Sequence, residues 1–155
     1  MQATAAFDID APLSGAIIEQ APDAIIFADR EGLIRVWNAG AERLFGFAAA
    51  EVTGRTLDVI IPERLRQAHW DGFNAALESG RTKYDGRALT TRSTHKDGSR
   101  LYVDLSFALI RDATGAVAGA LAIGRDASPH RQEQSALRDR IAALEKALQD
   151  NLDPS

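Results

Sequence analysis

The chain contains no cysteine, and this absence excludes several kinds of chemistry at once. Disulfide bonds, thiolate metal sites and cysteine nucleophiles all require a thiol. Methionine is limited to Met1, so no methionine within the folded part of the sequence is available as a metal ligand. Any metal bound by this chain must therefore be held by nitrogen or oxygen ligands.

Long apolar runs and an excess of positive charge are also missing. The longest nearly uncharged apolar run, Gly115 to Gly124, has ten residues, whereas crossing a bilayer needs about 20. The first residues, "MQATAAFDIDAP", lack the basic start and apolar stretch of a signal peptide. With 18 basic and 22 acidic residues the formal net charge is -4, which does not suit binding to nucleic acid. We expect a cytoplasmic protein that binds neither a membrane nor nucleic acid.

Hydrophobic periodicity and turn residues predict an ordered series of elements in the first half of the chain. Residues 11–21 have the apolar spacing of a short cap helix. Two β-rich runs, 25–28 and 33–37, flank a turn that ends in glycine and predict a hairpin. Short helical segments follow, and a longer helix is expected between Pro62 and Gly80.

Residues 86–126 show an alternation of apolar and polar residues, interrupted by turn sequences. Three extended runs are joined at Lys96-Asp97-Gly98 and at residues 112–115, which predicts an antiparallel meander. The most compact arrangement of all these elements is an α+β fold. In it, a five-stranded antiparallel sheet carries the short helices and the longer helix on one face.

The last segment has the pattern of a coiled-coil helix. Its apolar residues, Leu137, Ile141, Leu144 and Leu148, follow at spacings of four, three and four. This stripe could pack on its own domain, but its narrowness favours a partner helix. We therefore divide the chain into an N-terminal extension with the cap helix (1–20), a central α+β domain (21–127) and a C-terminal helix (128–155) that forms a parallel homodimer.

The longer helix places a histidine on its apolar face. In "PERLRQAHWDGFNAALESG", His69 shares that face with Leu65, Phe73 and Leu77 at four-residue spacing. An imidazole in such surroundings is either a core histidine with one hydrogen bond or a ligand directed into a pocket. The other histidines, in the turn "THKDGS" and near the start of the last helix, are expected at the surface.

Residues 20–128 closely resemble a PAS sensory domain. The resemblance is carried by "NAGAERLFGF" after the first hairpin, the turn "EVTGR", the hairpin "KDGS" and the closing "GRDAS". It implies the PAS fold for the sheet and helices described above. In that family the closing stretch connects the sheet to an output helix.

The stretch "IIPERLRQAHWDGF" resembles the corresponding helix of the haem-binding PAS domains of bacterial oxygen sensors. In those domains the matching histidine is the axial iron ligand. The resemblance implies that His69 is a metal ligand and that haem b is the cofactor, with Leu65 and Phe73 beside it. Cations near the pocket rim would then bind the haem propionates, and Arg81 and Lys83 are the candidates.

The expected distal side differs from that of the oxygen sensors. In the resemblance to these sensors, Leu89 is at the position where some of them have an arginine that stabilises bound oxygen. Arg87 is at the position where another of them has a methionine ligand. Because the two differ by two in a predicted strand, they share a face, and Arg87 could reach into the pocket. Alternatively it pairs with Asp85 or is solvated. Leu105 and Phe107 would form the apolar distal wall.

These observations favour a sensor of a diatomic gas, with oxygen first, that signals to an unknown downstream effector. The alternative is a PAS module without haem that dimerises or binds a small organic ligand or a flavin. A photosensor based on a cysteine adduct is excluded, because cysteine is absent. We do not expect an enzyme, since the sequence has no G-x-S-x-G, no phosphate-binding glycine loop and no cluster of metal ligands.

Overall fold

The computed structural model of this protein describes residues 10–84 and 86–152. Its helices are α1 (Ala11–Gln20), α2 (Ala39–Phe45), α3 (Ala49–Val52), α4 (Glu63–Ser79) and α5 (Ser128–Leu152). Its strands are β1 (Ala24–Asp29), β2 (Ile34–Trp37), β3 (Leu89–Thr94), β4 (Arg100–Arg111) and β5 (Val117–Asp126). A 3₁₀ turn, Leu57–Val59, precedes α4.

All five strands belong to one antiparallel sheet with the order β2-β1-β5-β4-β3. The pairing of β1 with β5 joins the first hairpin to the last three strands. Hydrophobic residues of α2 and α3 pack on one face of this sheet, which we call the inner face. The predicted α+β fold, with a five-stranded antiparallel sheet, short helices, one longer helix and a C-terminal helix, is therefore confirmed.

The turn between β1 and β2 is built by one carboxylate and one glycine. Oδ1 of Asp29 accepts hydrogen bonds from the backbone N–H groups of Glu31 and Leu33, at 2.9 and 3.1 Å. Gly32 has a φ of 80°, a conformation that side chains with a Cβ rarely adopt. A Cβ at Gly32 would also lie 2.4 Å from a ring carbon of Trp70. This glycine therefore shapes the turn and leaves room for an aromatic ring of α4.

A buried asparagine connects α1, β1 and α2. Oδ1 of Asn38 accepts from the N–H groups of Ile25 and Ala41, at 2.8 and 2.9 Å. Its Nδ2 donates to the carbonyl groups of Ile18 and Asp23, at 2.8 and 3.0 Å. Asn38 is fully buried, and these bonds satisfy the polar atoms of its side chain, as burial of an amide requires.

The core is most closely packed under α2 and α3. Its largest fully buried side chains include Phe45, Ile34, Val52 and Val103. The ring of Trp37 packs against Phe45 with a centroid separation of 5.3 Å. No residue of α4 is fully buried, so this helix contacts the sheet less closely than its neighbours do.

The C-terminal helix leaves the sheet directly after β5. Ala127 is buried, and its N–H donates to the carbonyl of Tyr102 at 2.8 Å. No residue of α5 is buried in this chain. Among the described residues, no helix combines the length and apolar character needed to cross a membrane.

Replacing Asn38 with alanine should destabilise the fold. The change leaves the buried N–H groups of Ile25 and Ala41 without acceptors, and each unsatisfied group costs about 1–3 kcal/mol. We expect a loss of about 2–5 kcal/mol in the free energy of unfolding, measured by urea denaturation. Asn151→Ala on exposed α5 is the control and should change it by less than about 0.5 kcal/mol. Equal stability of the two variants would contradict the role of Asn38.

Candidate functional site

A cavity of about 330 Å³ lies between α4 and the inner face of the sheet. Most of its lining residues are apolar, and Thr91, Arg92 and Ser93 of β3 are the polar exceptions besides a histidine. Ligand pockets in proteins typically range from about 300 to 1,000 Å³. The cavity is therefore large enough to hold a ligand, at the lower end of that range.

Five residues selected from the sequence meet in the wall of this cavity. Leu65, His69 and Phe73 contribute from α4, and Leu105 and Phe107 contribute from β4. The first three are brought together by four-residue spacing on one helix face. The last two share the inner face of β4, because they differ by two in a strand. The histidine thus lies across the cavity from an apolar wall.

His69 carries an unusual nitrogen atom. Its Nδ1 is buried and has no hydrogen-bond partner among the described residues. Burial lowers the pKa of His69 from its ordinary value, and the negative charge of Asp58 offsets part of this effect. The imidazole is therefore neutral at pH 7, the form in which histidine binds metal ions.

Trp70 fixes the position of the helix that carries this histidine. Its Nε1 donates to Oδ1 of Asp58 at 2.8 Å. Its ring contacts His69 edge-on, with the ring centroids 4.7 Å apart, and it covers Gly32 in the first hairpin. The sequence analysis missed this role, because it depends on residues that are distant along the chain.

Small side chains on the sheet create the space. Ala28 of β1 and Ala120 of β5 are paired neighbours that line the cavity, and Ala122 lines it beside Ile26. Larger residues at these positions would extend towards α4. We call these three alanines the floor of the cavity. The sequence analysis did not predict the floor, although the alternating alanines in "GALAIG" were an available signal.

The expectation that Arg87 reaches into the pocket is corrected by the structure. Arg87 is exposed, its Nε donates to the carbonyl of Tyr84 at 3.3 Å, and it does not line the cavity. The argument from alternation fails because β3 begins only at Leu89. The alternative partner, Asp85, lies outside the described residues. Leu89 opposes Leu105 on the inner face but is not part of the lining.

The two predicted rim cations and the other two histidines are not among the residues that line the cavity. Arg81 and Lys83 are both exposed. His95 lies 3.1 Å from Asp97, and His130 is exposed on α5. Arg92 does contribute to the wall, yet it opposes Tyr102 in β4. Alternation therefore directs its side chain to the outer face of the sheet.

The residues present fit a haem held by one axial histidine. Neutral His69 offers a ring nitrogen, and the opposite wall of Leu105 and Phe107 contains no side chain that would compete for the iron. Among the described residues, no group of three or more histidine, aspartate or glutamate side chains is placed to hold a metal ion. An iron atom here would thus depend on a single protein ligand, as haem iron can.

Comparison with protein-family models and curated proteins identifies one family and several relatives of this chain. The model of a family described as "PAS fold" matches residues 15–127. The chain is 29% identical over 133 residues to the oxygen sensor protein DosP of Escherichia coli (strain K12), covering 86% of this chain and 15% of DosP. It is 29% identical over 134 residues to the sensor protein FixL of Bradyrhizobium diazoefficiens, covering 79% of this chain and 24% of FixL. The chain thus spans less than a quarter of either relative.

Solved structures share the fold at lower identity. A PAS domain from Colwellia psychrerythraea has a TM-score of 0.63 and 24% identity, covering 74% of this chain and 94% of that one. An RNA-binding light-oxygen-voltage receptor has the same TM-score and identity, covering 96% of this chain and 42% of the receptor. These likenesses concern the fold alone.

The half-buried imidazole of His69 should make the ligand-free protein sensitive to mild acid. Because the pKa of His69 is lowered in the folded state, the unfolded chain, with a pKa of about 6.5, takes up the proton first as the pH falls. The contribution of neutral His69 to stability is therefore complete above about pH 7 and declines below about pH 6.5. In urea denaturation at pH 7.5 and 5.5, His69→Gln should lose less stability between the two pH values than the wild type does. His130→Gln should behave as the wild type; an identical pH dependence in His69→Gln would contradict the burial of this imidazole.

Proposed function

The chain belongs to the PAS family, and on that premise we propose that it is a haem-binding sensor domain for a diatomic gas, with oxygen as the expected ligand. We propose it as a binding module that acts in the cytoplasm and carries out no reaction of its own. The observation that carries the proposal is the neutral imidazole of His69, which lines an apolar cavity and has a buried nitrogen without a partner. The likeness to a protein named as an oxygen sensor supports the same reading.

The five lining residues that were selected from the sequence each have a defined part in this proposal. His69 would hold the iron, and Leu65 and Phe73 would flank the cofactor on the same side. Leu105 and Phe107 would exclude water from the opposite side, because their side chains offer no hydrogen bond. When bound, the haem supplies an iron atom with an open coordination position for the gas.

Leu105 and Phe107, which would face the gas, belong to β4. This strand pairs with β5, and β5 leads directly into α5. Leu105 pairs with Gly124 of β5, two residues before that strand ends. The carbonyl of Tyr102 in β4 accepts the hydrogen bond from Ala127 at the root of α5. A displacement of Leu105 or Phe107 would therefore reach α5 through one pair of hydrogen-bonded strands. In this proposal α5 passes the signal to an effector and forms a parallel homodimer.

The second candidate is a PAS module that binds a small organic ligand or a flavin without haem. The volume of the cavity, about 330 Å³, is at the lower end of the range for ligand pockets, and it favours the small organic ligand. Under this alternative, His69 would donate or accept a hydrogen bond and would hold no metal.

His69→Ala should abolish stable haem binding. The change removes the only ligand that the proposal gives the iron. After expression with added haem precursor, the wild type should keep a Soret band through gel filtration. The variant should lose this band or keep it only when imidazole is added. His95→Ala, which alters a histidine outside the cavity, is the control and should keep the wild-type spectrum. A wild-type spectrum in His69→Ala would contradict the assignment.

A larger side chain at Ala122, in the floor of the cavity, should weaken haem binding without destabilising the fold. In Ala122→Leu the new side chain would occupy empty apolar space, where each buried methylene contributes about 0.8 kcal/mol. We expect haem affinity, measured by Soret titration, to fall by on the order of 10-fold or more, a loss of about 1.4 kcal/mol. The stability of the ligand-free protein in urea should be unchanged or raised.

The matched control is Ala108→Leu, which adds the same atoms at an exposed position of β4. This variant should bind haem as the wild type does. Equal haem affinity in all three proteins would mean that the ligand binds elsewhere. A loss of stability in Ala122→Leu would mean that the space between α4 and the sheet is not available to a ligand.

A further inference from the structure

Three arginines surround Tyr102 on the outer face of the sheet. Arg92 of β3 is paired with Tyr102 of β4, and Arg100 lies two residues before Tyr102 on the same face. The guanidinium of Arg131, near the start of α5, lies over the ring of Tyr102, with its carbon atom 4.0 Å from the ring centroid. We call Arg92, Arg100 and Arg131 the arginine cluster.

The arginine cluster has no carboxylate partner of its own. Among the described residues, none of its three side chains forms an ion pair with aspartate or glutamate. Two carboxylates at neighbouring strand positions are engaged by other groups. Asp104 accepts a hydrogen bond from the hydroxyl of Thr90, and Asp126 accepts from the N–H of Ser128. The positive charge of the cluster is therefore not balanced by a bound side chain.

The guanidinium of Arg92 is solvated only in part. Its Nε is buried and has no hydrogen-bond partner in the part of the chain that the structure describes. Partial burial lowers the pKa of Arg92, and the positive charges of Arg100 and Arg64 lower it further. Because a guanidinium stays protonated in proteins, Arg92 remains charged in these surroundings. A bound anion would stabilise that charge.

The hydroxyl of Tyr102 lies within this positive field. The guanidinium of Arg100 beside the hydroxyl lowers the pKa of Tyr102, and the charges of Arg131 and Arg92 act in the same direction. A group with negative charge is thus favoured at this position. Guanidinium groups bind phosphate oxygens through paired N–H donors, and a phenol hydroxyl can supply one further donor.

We propose that the arginine cluster and Tyr102 form a binding site for a phosphate group, carried by a free phosphate compound or by a nucleotide. A phosphate group suits three cations better than a carboxylate does, because it carries about two negative charges at pH 7 and three strong acceptor oxygens. This site goes beyond the proposed gas sensor and does not rest on it, since it lies on the face of the sheet opposite the cavity.

A phosphate group in this site would connect α5 to the sheet. Arg131 belongs to α5, whereas Arg92 and Arg100 belong to β3 and β4. The carbonyl of Tyr102 already accepts the hydrogen bond from Ala127 at the root of α5. An anion shared by Arg131 and Arg92 would add a second connection across the same junction. Binding would therefore stabilise the start of α5 on the outer face.

Pyrophosphate is the first probe, titrated into the full chain in an isothermal calorimeter at constant ionic strength. The wild type should show one saturable site. Arg92→Gln and Arg131→Gln, made separately, should each weaken binding by on the order of 10-fold or more, because each removes charge-assisted hydrogen bonds. Arg140→Gln makes the same change in net charge at an exposed position of α5 and should bind as the wild type does.

A second set of titrations separates the two sources of the phosphate group. Tighter binding of ADP than of pyrophosphate would assign a nucleotide to the site, and equal or weaker binding of ADP would assign a free phosphate compound. Tyr102→Phe keeps the ring beneath Arg131 and removes the hydroxyl. This variant should bind pyrophosphate about 5-fold more weakly, the effect of one hydrogen bond.

Three results would overturn the inference. The first is the absence of saturable binding of both probes to the wild type. The second is an equal loss of affinity in Arg131→Gln and Arg140→Gln, which would mean a general effect of charge. The third is wild-type affinity in Arg131→Gln, which would place the anion elsewhere. Arg131 is exposed, so this variant keeps the test decisive even where urea denaturation shows that Arg92→Gln disturbs the fold.

Discussion

The site depends on how Trp70 attaches α4 to the rest of the domain. No residue of α4 is fully buried, so close packing against the core does not hold this helix. Instead the indole of Trp70 donates to Asp58 and covers Gly32 in the first hairpin. At the other end, Arg111 of β4 donates to the carbonyl of Gly80. The helix is thus fixed above a floor of alanines, and the cavity is the space that remains between them.

This arrangement links the cavity to the sheet and the sheet to α5. The floor belongs to β1 and β5, and the wall opposite His69 belongs to β4. The same strands, β4 and β5, carry the hydrogen bonds that end at Ala127, where α5 begins. A change in the volume or position of a ligand would press on the strands that anchor the helix. The cavity of the proposed sensor and the helix of the proposed dimer are therefore connected through the same two strands.

The sequence predicted the parts of the site that depend on local spacing. Four-residue intervals placed Leu65, His69 and Phe73 on one helix face, and turn residues located the hairpins. The prediction failed for Arg87, because alternation applies only within a strand and the start of β3 could not be read from its residues. The roles of Trp70 and Ala120 were missed because they follow from contacts with distant segments, such as Gly32 and Ala28. Local patterns contain no information about such pairings.

The proposed bond between His69 and a haem iron can be tested directly by resonance Raman spectroscopy of the ferrous protein after loading with haem. Our account predicts an iron–histidine stretching band that shifts to lower frequency when the histidines are labelled with ¹⁵N. The band should vanish in His69→Gly and return without the isotope shift when unlabelled imidazole is added to that variant. A loaded protein whose spectrum shows no histidine-dependent band, or keeps it in His69→Gly, would contradict the assignment of His69 as the axial ligand.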